Sequence, residues 1–288
     1  MAATPLYIDY ERIFTMDIKL SCTANMVPGK TLTEKAHTVR KLGYTGMAIF
    51  VDAPDWKDEL LDEMLQMEEK TGVKPCEFVL TAGYYGHLMN KDPEIRKQAL
   101  VAYKQSIEIA NKIGAITEME YEYRTQDPLP LFEPYQQMPE EEKELYVSIV
   151  NELGACVKPG AAMLIESCNR YETKYMTRLC DCVEMLERAD PEVTKNMGLI
   201  ADFFHLQIEE VDVAQAIRDA GKWIRHVHLG DSNRLAPGYG HTDWKSGFAA
   251  LKEIGFNGYM NLECGVPGPY DVVLPQVAEF LKKVYENA

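Results

Sequence analysis

Short apolar runs alternate with amphipathic stretches from one end of the chain to the other. The runs are DIKLSC (17–22), GMAIFV (46–51), KPCEFVL (74–80), AITEMEY (115–121), AAMLIES (161–167), MGLIADF (197–203), IRHVHLG (224–230) and GYMNLE (258–263). Their near-continuous hydrophobicity is the pattern of parallel strands buried on both faces, rather than of a sheet with one wet side. Between them lie stretches with helical spacing near 32–42, 57–71, 92–113, 139–157, 173–189, 211–220, 244–254 and 272–286, several opening on Asp, Thr or Pro. A strand followed by a helix, repeated through the chain, predicts an α/β fold: a single-domain (β/α)8 TIM barrel. A parallel sheet needs helices on its outer face, and closure removes both edges. No linker divides residues 1–288, so they read as one domain with a long loop or insertion around 122–142. Its core, TQDPLPLFEPYQQMPEEE (125–142), follows the fourth strand. Both a lid and a solvated or partner-contacting arm fit its composition.

Composition narrows the class without changing this architecture. With 46% hydrophobic and 26% charged residues the chain has ample material for a packed core. A formal net charge of −15 opposes a phosphate backbone, which excludes nucleic acid as an expected partner. Asp9, Glu11 and Arg12 interrupt the apolar core that a signal peptide would need, and no later segment is long enough to span a bilayer. A cytoplasmic location is therefore expected. The seven cysteines are an odd number scattered through predicted strands and helices, as for free thiols. Cys180 and Cys182 are two apart in a helical pattern, so they point to different sides, which argues against a thiolate metal site.

In a barrel of this kind chemistry gathers at the C-terminal ends of the strands. The fifth strand ends at Glu166 in LIESCNRYE, the sixth delivers Asp202 with His205 just beyond, the seventh carries His228, and the eighth ends at Glu263. Any one of these is ordinary alone: a strand-end Glu is usually an ion-pair partner, and a lone His a hydrogen-bonded core residue. Together they converge on one mouth, where three carboxylates repel each other without a cation. Two arrangements relieve that repulsion: a bound divalent metal ion, or an ion network with Arg170, Arg225 and Arg234 pointing inward. Two Glu, one Asp and one His make a mainly oxygen donor set, suited to Mn²⁺, Mg²⁺ or Co²⁺, with Zn²⁺ open through the imidazole; Mn²⁺ is favoured. His87, after the third strand in GYYGHLMN, is a candidate substrate contact, or equally a surface loop residue.

The segments LIESCNRYET, LIADFFHLQIEE, HVHLGDSNRLAPGYGHTDW and GFNGYMNLE, in that order, resemble the strand-end motifs of the xylose-isomerase-like TIM-barrel superfamily. Within it they are most similar to the sugar (phosphate) isomerase/epimerase group, which includes tagatose and psicose 3-epimerases and hydroxypyruvate isomerases. The likeness is strongest over 161–263. Earlier, IKLSCTANMVPGKTLTEKAHTVRKLGYTGMAIFVD follows the opening strands, with Ala48 where members often carry a glutamate. The resemblance implies that Glu166, Asp202, His228 and Glu263 bind one divalent cation and that Glu166 and Glu263 are the acid/base pair. It also implies that His205 and Arg234 touch substrate oxygens and that Glu172 is a carboxylate ordering this region; a helix first-turn charge is the competing reading of Glu172.

The activity so implied is a metal-dependent sugar isomerase or epimerase that removes a proton next to a carbonyl through an enediolate. The alternative within the superfamily is a C-glycoside deglycosidase, a lyase that eliminates the aglycone from 3-oxo-glycosides together with a small partner subunit. YYGH (84–87), MEYEYR (119–124) and the long insertion offer aromatic surface for such an aglycone. Apurinic endonucleases on the same barrel assemble several zinc ions with numerous histidines. Six histidines in all and an acidic balance fit them badly. The expected partners are a small sugar or sugar-derived substrate and further copies of the chain. The absence of a glycine-rich phosphate cradle in the sequence points to an unphosphorylated sugar.

Overall fold

The computed structural model describes residues 18–81, 83–122 and 128–288. Strands β1 (Lys19–Thr23), β2 (Gly46–Asp52), β3 (Lys74–Thr81), β4 (Ile116–Glu120), β5 (Ala162–Glu166), β6 (Met197–Asp202), β7 (Ile224–Leu229) and β8 (Tyr259–Leu262) follow one another around a closed barrel. Every neighbouring pair is parallel, and β1 closes on β8. The helices are α1 (Leu32–Lys41), α2 (Asp58–Thr71), α3 (Pro93–Ile113), α4 (Glu140–Gly154), α5 (Leu179–Arg188), α6 (Pro191–Thr194), α7 (Phe203–Glu209), α8 (Val213–Ala220), α9 (Trp244–Glu253) and α10 (Tyr270–Glu286). The (β/α)8 expectation is met. Among the described residues no helix is long and apolar enough to cross a membrane.

Side chains alternate across each strand, and the two faces meet different surroundings. The outward set, with Met47, Phe78, Met119, Ile165, Leu199 and Val227, packs under the helices in one continuous core. The inward set splits by level. Ala162, Leu164 and Ile200, with Ile116 against them, form a small apolar floor inside the barrel. One pleat nearer the C-terminal ends the same strands present Glu118, Glu166 and Asp202, all buried. Along the stagger of the barrel Glu120 pairs with Glu166, and Asp202 with His228. The fold therefore sets this layer on a floor that is apolar at Ala162, Leu164 and Ile200 and polar at Glu77 and His226, which pair in register with Ile116 and Ile200.

Some element boundaries differ from the sequence reading, each for a local reason. The helix expected over 173–189 begins only at Leu179, because Asn169 turns the preceding chain: its side-chain oxygen accepts from Tyr171 N–H and its carbonyl from Glu172 and Thr173. The sixth strand stops at Asp202 rather than Phe203, where Asp202 itself caps the unpredicted short helix α7. Asp17, in the predicted first strand, and the 1–14 segment read for a signal peptide lie outside the described residues. So do Tyr123, Arg124 and the start of the long loop, whose described part runs from 128 to α4. There Tyr135 donates to Asp181 at 2.5 Å and lies under the Arg178 guanidinium, 3.5 Å from the ring centre. All seven cysteines are free, and Cys180 is exposed while Cys182 is buried, on different sides of α5 as the spacing required.

Candidate active site

Four strand ends supply the cluster. Donor atoms of Glu166, Asp202, His228 and Glu263 lie within 4.8 Å of one another. His228 is its centre: Nδ1 stands 2.9 Å from Glu166 Oε1 and 2.9 Å from Glu263 Oε2, while Nε2 on the far edge of the ring meets Glu77 Oε1 at 3.0 Å. Asp202 divides its two oxygens. Oδ1 caps α7, accepting from Phe204 N–H at 2.7 Å and His205 N–H at 3.4 Å, which leaves Oδ2 for the mouth. The same cap sets His205 in the first turn. Asn169 presents its backbone N–H to His205 Nδ1 at 3.2 Å and its side-chain nitrogen at 2.7 Å. With Nδ1 thus used as an acceptor, Nε2–H is the free donor, 3.6 Å from Asp202 Oδ2.

Of the three arginines weighed as an alternative to a metal, one reaches the mouth. Arg234 donates to Asp202 Oδ2 at 2.7 Å, lies 3.1 Å from Glu263 Oε2, and sits over the Phe204 ring. Arg170 grips Glu209 through two nitrogens instead of Glu166, and Arg225 donates to the Lys195 carbonyl. A single guanidinium against three carboxylates leaves the cluster anionic. Glu263 Oε2 is buried without a well-angled hydrogen bond. Three carboxylates, one imidazole and this spare oxygen fit one divalent cation, and the oxygen-rich set favours a hard one.

The electrostatics follow from burial and neighbours. Burial opposes charge on His228, but Glu77, Glu166 and Glu263 outweigh it and hold the imidazolium well above the ordinary histidine range. Glu263 is pushed the other way: burial would raise it, yet His228 and Arg234 keep it far below the usual carboxylate range. Glu166 ends up raised, because burial outweighs its contact with His228. The two glutamates thus differ in affinity for a proton, the asymmetry an acid/base pair requires.

Glu172 lies in a turn, not in the first turn of a helix. Its Oε1 accepts from Asn169 Nδ2 at 3.0 Å and stands 3.8 Å from His205 Nδ1, so it orders the residue that orients His205. His87 is half-buried in the β3–α3 loop; among the described residues its ring has no polar contact with the cluster. Within the aromatic segments Tyr85 stacks on Tyr103 and donates to Glu118, and Tyr121 packs on Tyr146 and Tyr175, while Tyr84 is exposed.

Several interior groups escaped the sequence reading. Glu77, Glu118, Glu120 and His226 all point into the barrel and are buried. Burial, reinforced by Glu166, raises Glu118 and Glu120 well above the normal carboxylate range. A charge inside an apolar run was the signal that picked out Glu166, and it was present in KPCEFVL and AITEMEY too. Below the β7 end, Asp231 is a further organiser. Its carboxylate accepts from Ser232, Gly238 and Thr242 N–H at 2.8, 2.8 and 3.1 Å, which fixes the loop bearing Arg234.

Residues 36–284 match the family described as xylose isomerase-like TIM barrel, and the chain belongs to it. A D-psicose 3-epimerase of Ruminiclostridium cellulolyticum is 28% identical over 233 residues, covering 78% of this chain and 75% of that one. A 3-dehydro-D-guloside 4-epimerase of Escherichia coli is 32% identical over 106 residues, 37% of this chain and 39% of the relative. Among solved structures, a 3-keto-D-glucoside 4-epimerase from E. coli superposes with TM-score 0.77 at 20% identity, over 92% of this chain and 99% of that one. A D-psicose 3-epimerase with D-tagatose from Clostridium cellulolyticum gives 0.74 at 21%, over 93% and 99%. The relatives are sugar epimerases, and this chain is an enzyme of that isomerase/epimerase class.

Proposed function

We propose that the chain is a divalent-cation-dependent epimerase of an unphosphorylated keto-sugar, inverting the carbon next to the carbonyl through an enediolate. The observation that carries this reading is the convergence of Glu166, Asp202, His228 and Glu263 within 4.8 Å, with both glutamates against Nδ1 of one imidazole. Removing a proton beside a carbonyl leaves negative charge on oxygen, so the site needs a base and positive charge near that oxygen. A divalent cation held by the four side chains would supply that charge as a Lewis acid, and Mn²⁺ suits the donor set.

The protein's own groups do the rest. One glutamate of the Glu166/Glu263 pair takes the proton from one face of the sugar, and the other returns a proton to the opposite face. His205 Nε2–H and the Arg234 guanidinium donate to sugar oxygens and hold the chain of the sugar in place. The buried layer under the cluster keeps bulk water from below. An unphosphorylated substrate agrees with the mouth's charge, since one arginine is surrounded by Asp202, Glu166 and Glu263, and a phosphate would meet that field.

The test is solvent deuterium incorporation by Mn²⁺-loaded protein into a panel of free ketoses and 3-oxo-glycosides. Deuterium at the carbon next to the carbonyl, with the epimer appearing alongside, is expected. No exchange across the panel by protein that carries the metal would overturn the reading. Release of an aglycone from a 3-oxo-glycoside would replace it by the elimination chemistry of the lyase relatives.

A further inference from the structure

Beneath the cluster, the barrel holds a polar group that neither the four donors nor the proton transfer employs. Glu77 comes from β3, while His226 and His228 come from β7 across the barrel, and the three are buried. Oε1 of Glu77 is 3.0 Å from His228 Nε2, and Oε2 is 3.3 Å from His226 Nε2. The ring of His228 is thereby suspended between two sets of carboxylates: Glu77 on the edge facing the barrel interior, and Glu166 and Glu263 on the edge facing the mouth.

We propose that Glu77 is a positioning residue for the cation site, accepting the Nε2–H of His228 so that Nδ1 turns its lone pair toward Glu166, Asp202 and Glu263. The inference rests on the cation reading of the mouth. A metal-binding imidazole needs its other N–H held by an acceptor, which fixes both tautomer and ring plane, and a carboxylate does this while raising the basicity of the ligating nitrogen. Glu77 also has a reason to be there that packing does not supply. A buried carboxylate is costly unless paired, and its polar contacts among the described residues are the two histidines.

The competing arrangement is a second cation held by Glu77, His226 and His228, whose donor atoms also lie within 4.8 Å. That cation would take Nε2 of the ring whose Nδ1 serves the mouth, so the imidazole would have to lose both its protons. One carboxylate and two histidines make a poor setting for such an imidazolate between two dications. The geometry therefore favours one cation per chain.

The experiment is Mn²⁺ binding to chelator-stripped full-length protein, read as free Mn²⁺ by electron paramagnetic resonance, for the natural chain, Glu77→Gln and Glu77→Leu. One Mn²⁺ per chain is expected, bound about 10- to 100-fold more weakly by Glu77→Leu. Glu77→Gln, whose amide oxygen can still accept from Nε2–H, should recover part of that loss. If Glu77→Leu does not fold, Glu77→Gln carries the test alone, and unchanged affinity there overturns the proposal. A lowered melting temperature with unaltered Mn²⁺ affinity in both variants would make Glu77 a structural residue and also overturn it. So would two Mn²⁺ per chain in the natural protein falling to one in Glu77→Leu. A natural chain that binds no Mn²⁺ would instead remove the cation reading on which the proposal stands.

Discussion

Arg234 occupies a left-handed backbone conformation, φ 61°, a strained one for a residue with a Cβ. The surrounding chain over-determines it: Arg234 N–H donates to the Asp231 carbonyl at 2.8 Å and the Arg234 carbonyl accepts from Gly265 N–H at 2.8 Å. That strain aims the guanidinium at the Asp202 and Glu263 oxygens a cation would use. Arg234→Gln should therefore bind Mn²⁺ more tightly, by about tenfold or about 1.4 kcal/mol, since the cation no longer displaces an ion pair. The KM for sugar should rise in the same variant. A Mn²⁺ titration beside steady-state kinetics checks both signs. For the acid/base pair, Glu166→Gln and Glu263→Gln should each cut epimerisation by about 10²- to 10⁴-fold. Each should still exchange solvent deuterium into one epimer, a different one in each variant, because the surviving base works from its own face. Mass spectrometry of each pure epimer in D₂O decides this; loss of all exchange in both variants would argue against two separate bases. At this scale the sequence was informative where a polar residue ends a strand, as with Glu166 and Glu263. The charge within KPCEFVL marked Glu77 without giving its role, which like that of His226 depends on what faces it across the barrel.

Strands were legible because burial on both faces leaves a continuous apolar run, and their level in the barrel followed once parallel register was assumed. Helix α7 was not, since FFHLQIE follows β6 with no intervening loop and Asp202 serves as both strand end and cap. Its placement depends on close packing that a sequence does not announce. A Cβ added at Gly247 in α9 would come within 2.3 Å of the Phe203 ring, and Phe203 opens α7 next to Asp202. Gly247→Ala should thus destabilise by about 1–3 kcal/mol and disturb the α7 turn that carries His205. Chemical denaturation gives the first effect; a raised KM in the folded fraction gives the second. The loop after β7 behaves likewise. In Asp231→Asn one oxygen becomes an NH₂ group, so a donor faces either Gly238 N–H or the Ser232 and Thr242 N–H groups. A loss of about 2–3 kcal/mol is expected by the same denaturation measurement.

The barrel as a whole gathers its negative groups at one mouth, and on the proposed cation reading metal loading there is linked to protons. In the cation-free form Glu77, Glu166 and Glu263 outweigh the opposing effect of burial and favour the doubly protonated ring of His228. Its folded value lies above the unfolded one of about 6.5, so its contribution to stability is complete below that pH and is lost as pH rises through the folded value. A cation needs Nδ1 bare and must expel that proton. Mn²⁺ affinity should consequently climb with pH, by up to about tenfold per unit below the folded value of His228, and approach a plateau above it. Glu166, also raised, adds a second displaced proton on the acid side. Because a ligand at about 100 times its Kd stabilises by about 2.7 kcal/mol, the gap in melting temperature between loaded and stripped protein at fixed Mn²⁺ should widen with pH over this range. Thermal melts across a pH series, paired with calorimetry in buffers of different ionisation enthalpy to count released protons, test it. A gap independent of pH, with no proton released, would mean that His228 is not among the ligands.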